Sequence, residues 1–142
     1  MARVFVLNGV NLAALGERRP EVYGEQTLGD IEQQLRSAFP DVELEFRQTD
    51  HEGELVAWIH EAAGSDGLVL NPGAWTHYSY AIHDALEAVS VPKVEVHLSN
   101  VHSREEWRRS SVVSPVVEAV VAGMGAEGYL AAIRYILEAT GR

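Results

Sequence analysis

The sequence predicts a single α/β domain built on a parallel five-stranded sheet with helices on both faces. Apolar runs of strand length alternate with segments of helical spacing along the whole chain, a pattern that calls for a parallel sheet covered on both sides. Two of these runs, Val4-Phe5-Val6-Leu7 and Leu68-Val69-Leu70, are apolar throughout, as expected of strands with no wet face. A chain of 142 residues is also long enough for one proper core and too short for two. Residues 1–142 are therefore read as one domain.

The elements follow in order. Arg3–Leu7 is the first strand. Thr27 to Phe39 carries helical spacing (Leu28, Ile31, Leu35, Phe39), with Thr27 and Asp30 placed as a capping box and Pro40 ending it. Val42-Glu43-Leu44-Glu45-Phe46 alternates with period two and reads as a strand with one wet face. Leu55, Trp58, Ile59 and Ala62 mark a second helix closed by Gly64. Leu68–Leu70 is the third strand, Tyr78 to Val89 a third helix, Lys93 to Leu98 the fourth strand, Val116 to Val121 the fifth, and Tyr129 to Leu137 the last helix. There is no repeat, low-complexity stretch or linker. Five strands in a chain of this length suit a flavodoxin-like three-layer sandwich with strand order 2-1-3-4-5.

Composition narrows the function. With 11 basic against 21 acidic residues the net charge is −10, which argues against nucleic acid or an anionic membrane as partner. An anionic small substrate stays compatible, because a few local arginines outweigh a distant negative surface. The absence of cysteine removes disulfides, thiolate nucleophiles and thiolate metal sites together. Met1-Ala2-Arg3 runs directly into a strand, with no signal-peptide pattern, and no apolar run approaches the ~20 residues of a membrane span. A cytoplasmic protein is expected.

In such a sheet, ligands bind beyond the carboxyl ends of the strands. The polar residues collect there: Asn8, Asn11, Arg18 and Tyr23 after the first strand, then Asp50 and His51, then Asn71 to His77, then His97, Ser99, Asn100, His102, Arg104 and Arg108. The loop from Asn8 to Gly24 is longer than the few residues usual for such a connection. Within it Arg18 can stabilise the anion of Tyr23 and make it a general base. Gly9, Gly16 and Gly24 suit it to act as a lid. Glu95 and His97, two apart on one strand, share a face, so the carboxylate fixes the tautomer of the imidazole and favours a general acid. Arg104 and Arg108, four apart, would face the same way on a helical turn, and with Asn71 and His77 they read as substrate clamps.

Three motifs, N-G-V-N-L…L-G-E-R-R-P-E-V-Y-G, L-N-P-G-A-W-T-H-Y-S and V-E-V-H-L-S-N-V-H-S-R-E-E-W-R, together resemble the type II 3-dehydroquinate dehydratases over nearly the whole chain. The resemblance implies a cofactor-free, metal-free enzyme that removes water from 3-dehydroquinate to give 3-dehydroshikimate, in the shikimate pathway or in quinate breakdown. It implies Tyr23 as base, His97 as acid, Arg18 as transition-state stabiliser and Asn11 as the residue orienting a water near the enolate. Asn71, His77, Asp84, Leu98, Ser99 and Arg108 would hold the substrate, Asp84 from across a subunit boundary in a dodecamer built of trimers. The chain departs from the family pattern at Val10, where proline is usual, and at Arg19, where an acid is usual. These departures imply a less rigid start to the loop and an added positive charge beside the base. A Schiff-base route is disfavoured, since the single lysine, Lys93, lies at the opposite end of its strand. A flavin or nucleotide binder would need a Gly/Ser/Thr-rich phosphate loop after the first strand. A metal hydrolase would have to be built on His77, Asp84 and His97 without a close-spaced ligand motif.

Overall fold

The computed structural model describes residues 1–141. Its strands are β1 (Ala2–Asn8), β2 (Val42–Gln48), β3 (Gly67–Asn71), β4 (Lys93–His97) and β5 (Ala119–Ala122). They form one sheet in the order β2-β1-β3-β4-β5, with every neighbouring pair parallel. The helices are α1 (Pro20–Tyr23), α2 (Leu28–Ala38), α3 (Glu52–Glu61), α4 (Tyr80–Glu87) and α5 (Glu127–Thr140). This is the expected flavodoxin-like α/β sandwich, and the Thr27/Asp30 capping box opens α2 as the sequence predicts.

The alternation of side chains along each strand divides the core in two. Val4, Val6, Val69, Val94 and Val96 meet Ile31 and Leu35 of α2 and Tyr129, Ile133 and Ile136 of α5. Phe5, Leu7, Leu68 and Leu70 meet Leu55 and Ile59 of α3 and Ile82 and Leu86 of α4 on the other face. Because β1 is central, both its faces are dry, which is why its sequence shows no polar alternation. Register then sets the working end: Asn8 pairs with Gln48 on one side and Asn71 on the other, at the point where strand order reverses. Ligand crevices form at such points.

One expectation is corrected. The fifth strand does not begin at Val116, because Pro115 holds the chain in a 3-10 turn over Ser114–Val116 and the ladder starts only when the Glu118 N–H reaches the Lys93 carbonyl, 2.9 Å away. The long loop after β1 holds a 3-10 turn at Leu12–Ala14 and the short helix α1. Between β4 and β5 no long helix crosses. Three 3-10 turns (Val101–Ser103, Glu106–Arg109, Ser114–Val116) make a strap instead, and its Val113, Val116 and Val117 cover the α3/α4 face of the sheet.

The connections after β1 and β3 press together at glycines. A Cβ on Gly9 would lie 2.6 Å from the Pro72 carbonyl oxygen, and one on Gly73, whose φ is +62°, would lie 2.9 Å from that of Val10. Gly9 is thus a packing glycine rather than a hinge, whereas Gly16 and Gly24 sit at φ +93° and +85°, where glycine is favoured. Gly9→Ala should cost about 1–3 kcal/mol, the usual penalty for forcing an extra methyl into packed surroundings, measured as a lower denaturant midpoint with an unchanged slope.

Candidate active site

A cleft opens at the carboxyl end of the sheet, lined among others by Asn11, Arg18, Tyr23, Asn71, His77, His97, Leu98, Ser99, Arg104 and Arg108. Nine of the ten residues expected to form the site therefore meet in one cleft. Asp84 does not: it lies on the outer face of α4, its side chain 79% exposed and paired with His83 at 2.9 Å. The His77–Asp84–His97 metal set is accordingly not assembled.

Tyr23 ends α1, and its ring lies 4.8 Å from the guanidinium carbon of Arg18 and 4.9 Å from that of Arg104. The sequence reading pairs Arg104 with Arg108 on one helical turn, but the chain is extended at Arg104, between two 3-10 turns. The two arginines separate as a result. Arg104 turns to Tyr23 and donates to Ser99 Oγ at 3.4 Å, while its Nη2 is buried with no hydrogen-bond partner among the described residues. Arg108 lies 4.1 Å over the Trp107 ring and donates from Nε to Glu105 at 2.6 Å. The extra cation Arg19 points elsewhere, to Glu21 at 3.2 Å on the exposed surface.

Glu95 and His97 occupy one face of β4, as the sequence predicts. Glu95 has no exposed surface, and its carboxylate accepts from His97 Nε2 at 2.5 Å, Thr76 Oγ1 at 2.5 Å and Ser114 Oγ at 2.6 Å. Burial by itself would raise this carboxyl, but the bonds from His97, Ser114 and Thr76 together hold it below the usual carboxylate range. With Nε2 committed to Glu95, Nδ1 is the ring nitrogen left for the cleft. His77 is held differently. Its Nδ1–H donates to the Ser110 carbonyl at 2.7 Å and its ring meets Trp107 edge-on, leaving Nε2 as an acceptor. Burial, opposed in part by the Ser110 bond, pushes its imidazole down and keeps it neutral.

The floor is a chain of buried amides. Asn71 Nδ2 donates to the Tyr129 hydroxyl at 2.9 Å, which donates to Asn8 Oδ1 at 2.6 Å, while Asn71 Oδ1 accepts from the Gly73 N–H. One N–H of Asn71 remains for a ligand. Burial pushes the Tyr129 phenol up and keeps it neutral. Asn11, in the left-handed region at φ 67°, is fixed by its own N–H donating to Asp50 Oδ1 at 2.8 Å, and Gln48 donates to the same carboxylate and to the Gly9 carbonyl. The valine at position 10 therefore does not leave Asn11 unanchored, because Asp50 supplies the fixing contact. Lys93 is buried at the far end of β4 with its ammonium on the Val89 carbonyl, well away from the cleft.

Residues 2–137 match the model of the class II dehydroquinases. The chain is 51% identical over 145 residues to the 3-dehydroquinate dehydratase of Bacillus subtilis strain 168, covering 99% of this chain and 97% of that protein. It is 53% identical over 137 residues to that of Kineococcus radiotolerans, covering 94% of each. The crystal structure of the type II dehydroquinase from Butyrivibrio crossotus superposes with a TM-score of 0.93 at 43% identity, over 95% of this chain and 97% of that one. The chain belongs to the class II dehydroquinase family.

The lowered Glu95 carboxyl makes a prediction about stability. A carboxylate held below its unfolded value stabilises the fold fully above the ordinary carboxylate range, and that contribution disappears as pH falls through the native value. Denaturant melts at a series of pH values should therefore show wild-type stability falling more steeply on acidification than that of Glu95→Gln.

Proposed function

We propose that the cleft is the active site of a type II 3-dehydroquinate dehydratase, with Tyr23 as general base and His97 as general acid. The observation that carries this reading is the His97 imidazole backed by the buried Glu95 carboxylate, in the same cleft as a phenol flanked by two guanidiniums. The family's reaction removes a proton alpha to a ketone and expels the hydroxyl beta to it. A Tyr23 phenolate takes the proton, and the charges of Arg18 and Arg104 offset the negative charge of that phenolate. Electrons move into the carbonyl, giving an enolate beside Asn11, which orients a water toward the enolate oxygen. The enolate collapses as His97 protonates the departing hydroxyl, leaving water and a conjugated enone. No step calls for a metal or a cofactor.

The remaining residues hold the substrate. Arg108, with Leu98 and Ser99, binds the carboxylate, a role suited to a guanidinium already braced on Trp107. Asn71 and neutral His77 take the ring hydroxyls, the first as donor and the second as acceptor. Asp84, exposed and outside the cleft of its own chain, contributes to a neighbour's cleft in a closed homo-oligomer, dodecameric as the family resemblance implies. Residues 1–142 act as one catalytic domain in the cytoplasm, with no nucleic-acid or membrane partner. The loop carrying Arg18 and Tyr23 closes over the substrate as a lid.

Mixing purified protein with 3-dehydroquinate and following enone absorbance tests the reaction directly. Tyr23→Phe should lower kcat by roughly 10²–10⁴-fold with little change in KM, the range typical of a general base. Arg18→Ala should lose far more in kcat than in KM, because its charge matters once the phenolate forms. A Tyr23→Phe enzyme within a few-fold of wild type overturns the base assignment. Asp84→Ala should raise KM, and sedimentation should find the active species to be an oligomer; a fully active monomer rules out the shared site.

A further inference from the structure

The Glu95 carboxylate draws its donors from the strap between β4 and β5 and from the 3-10 turn at Gly73–His77, and the direction of each bond is fixed by chemistry. An ionised carboxylate only accepts, so the Thr76 hydroxyl proton must point at Glu95 Oε2. The Thr76 oxygen, 2.6 Å from Ser111 Oγ, must then accept the Ser111 proton. The Ser111 oxygen in turn accepts from the N–H groups of Val113 at 3.1 Å and Ser114 at 2.9 Å. The Ser114 hydroxyl fills Glu95 Oε1 directly. One-way donation thus runs from the strap backbone through Ser111 and Thr76 to Glu95, where it meets the bond that His97 donates from the other side.

We infer that Ser114, Thr76 and Ser111 are positioning residues for the acid: they keep the Glu95 carboxylate fully donated to, so that it holds His97 oriented and charged. This rests on the reading of His97 as the acid. If either direct hydroxyl is removed, a lone pair of the buried carboxylate is left without its protein donor. The proton shared between His97 and Glu95 then gains reason to move to the carboxyl, and a neutral imidazole is a poor donor to a departing hydroxide. The same strap carries Trp107 and Arg108, and it is tied to the turn at two further points, by His77 Nδ1 to the Ser110 carbonyl and by the Val112 N–H to the Thr76 carbonyl at 2.8 Å. Acid and carboxylate clamp therefore rest on one segment, and a role for the serines in the acid must be told apart from a role in merely holding Arg108. The titratable and charged groups around the pair are Arg18 and Tyr23 from the loop after β1, His77 from the turn, and His102, Arg104, Arg108 and Arg109 from the strap. None of them is altered by substitution at 76, 111 or 114.

The test compares Ser114→Ala, Thr76→Val, Thr76→Ser and Ser111→Ala in kcat and KM for 3-dehydroquinate across pH, alongside His97→Asn. Ser114→Ala and Thr76→Val should each lose about 10-fold in kcat, the scale of one hydrogen bond to a buried charge, with KM nearly unchanged. The basic limb of their kcat profile should move to lower pH. Thr76→Ser, which restores the hydroxyl, should recover most of the rate, and Ser111→Ala should lose less because it acts through Thr76. If Ser114→Ala fails to fold, the Thr76→Val and Thr76→Ser pair still decides. A rise in KM with intact kcat, or pH profiles superimposable on wild type, overturns the inference. An active His97→Asn enzyme instead overturns the acid assignment, while an inactive one beside unaltered serine variants removes only the positioning role.

Discussion

Burying the Glu95 carboxylate on β4, a strand with every residue buried, obliges its surroundings to satisfy a charge that water cannot reach. An unpaired charge there would cost several kcal/mol, so the fold supplies an imidazole and two hydroxyls. That requirement shapes the region. A regular helix between β4 and β5 would cover the sheet with apolar side chains; the strap of 3-10 turns brings Ser111 and Ser114 to the carboxylate and still covers the sheet with its valines. The acid end of the cleft is consequently built from strand and strap in a single hydrogen-bonded unit.

The other end is built differently. Tyr23 rides on a four-residue helix between glycines of left-handed conformation, and its main electrostatic neighbours are two arginines without ion pairs among the described residues. Between the two ends lies the Asn8–Tyr129–Asn71 chain, which joins the two central strands to α5 beneath the cleft. Its buried phenol stays neutral and both donates and accepts. An acid and a floor held by buried hydrogen bonds therefore face a base carried on a short loop helix across one cleft.

Much of this was legible in the sequence because it is local or periodic. Uninterrupted apolar runs marked the central strands, a capping box marked α2, and the spacing of Glu95 and His97 put both on one face of β4 whatever the sheet around it. The one-ended clustering of polar residues along the sequence marks the position of the cleft. The rest depends on contacts between distant segments. S-S-V-V-S-P carries no signature of a carboxylate support; its meaning arises because the strap folds back over β4, bringing Ser114 nineteen positions from its partner in the chain. Arg104 could not be separated from Arg108 by spacing, because a break between two 3-10 turns has no periodic signal. Asp50 fixes Asn11 across 39 residues, and Pro115 delays β5 in a way that its valine-rich sequence conceals.

The distribution of paired and unpaired cations gives the molecule an inverted electric field. Arg3, Arg36 and Arg47 are bound to glutamates on the body of the protein, as is Arg19 at the edge of the loop, while Arg18 and Arg104 face the cleft with no salt bridge among the described residues. With a net charge of −10 the chain repels an anion at long range, yet within a Debye length of about 8 Å the cleft arginines attract it. Approach is therefore uphill until the last few ångströms. Added salt should weaken the distant repulsion more than the short contacts, so capture of an anionic substrate need not decline with ionic strength as it does for proteins that steer their ligands from afar.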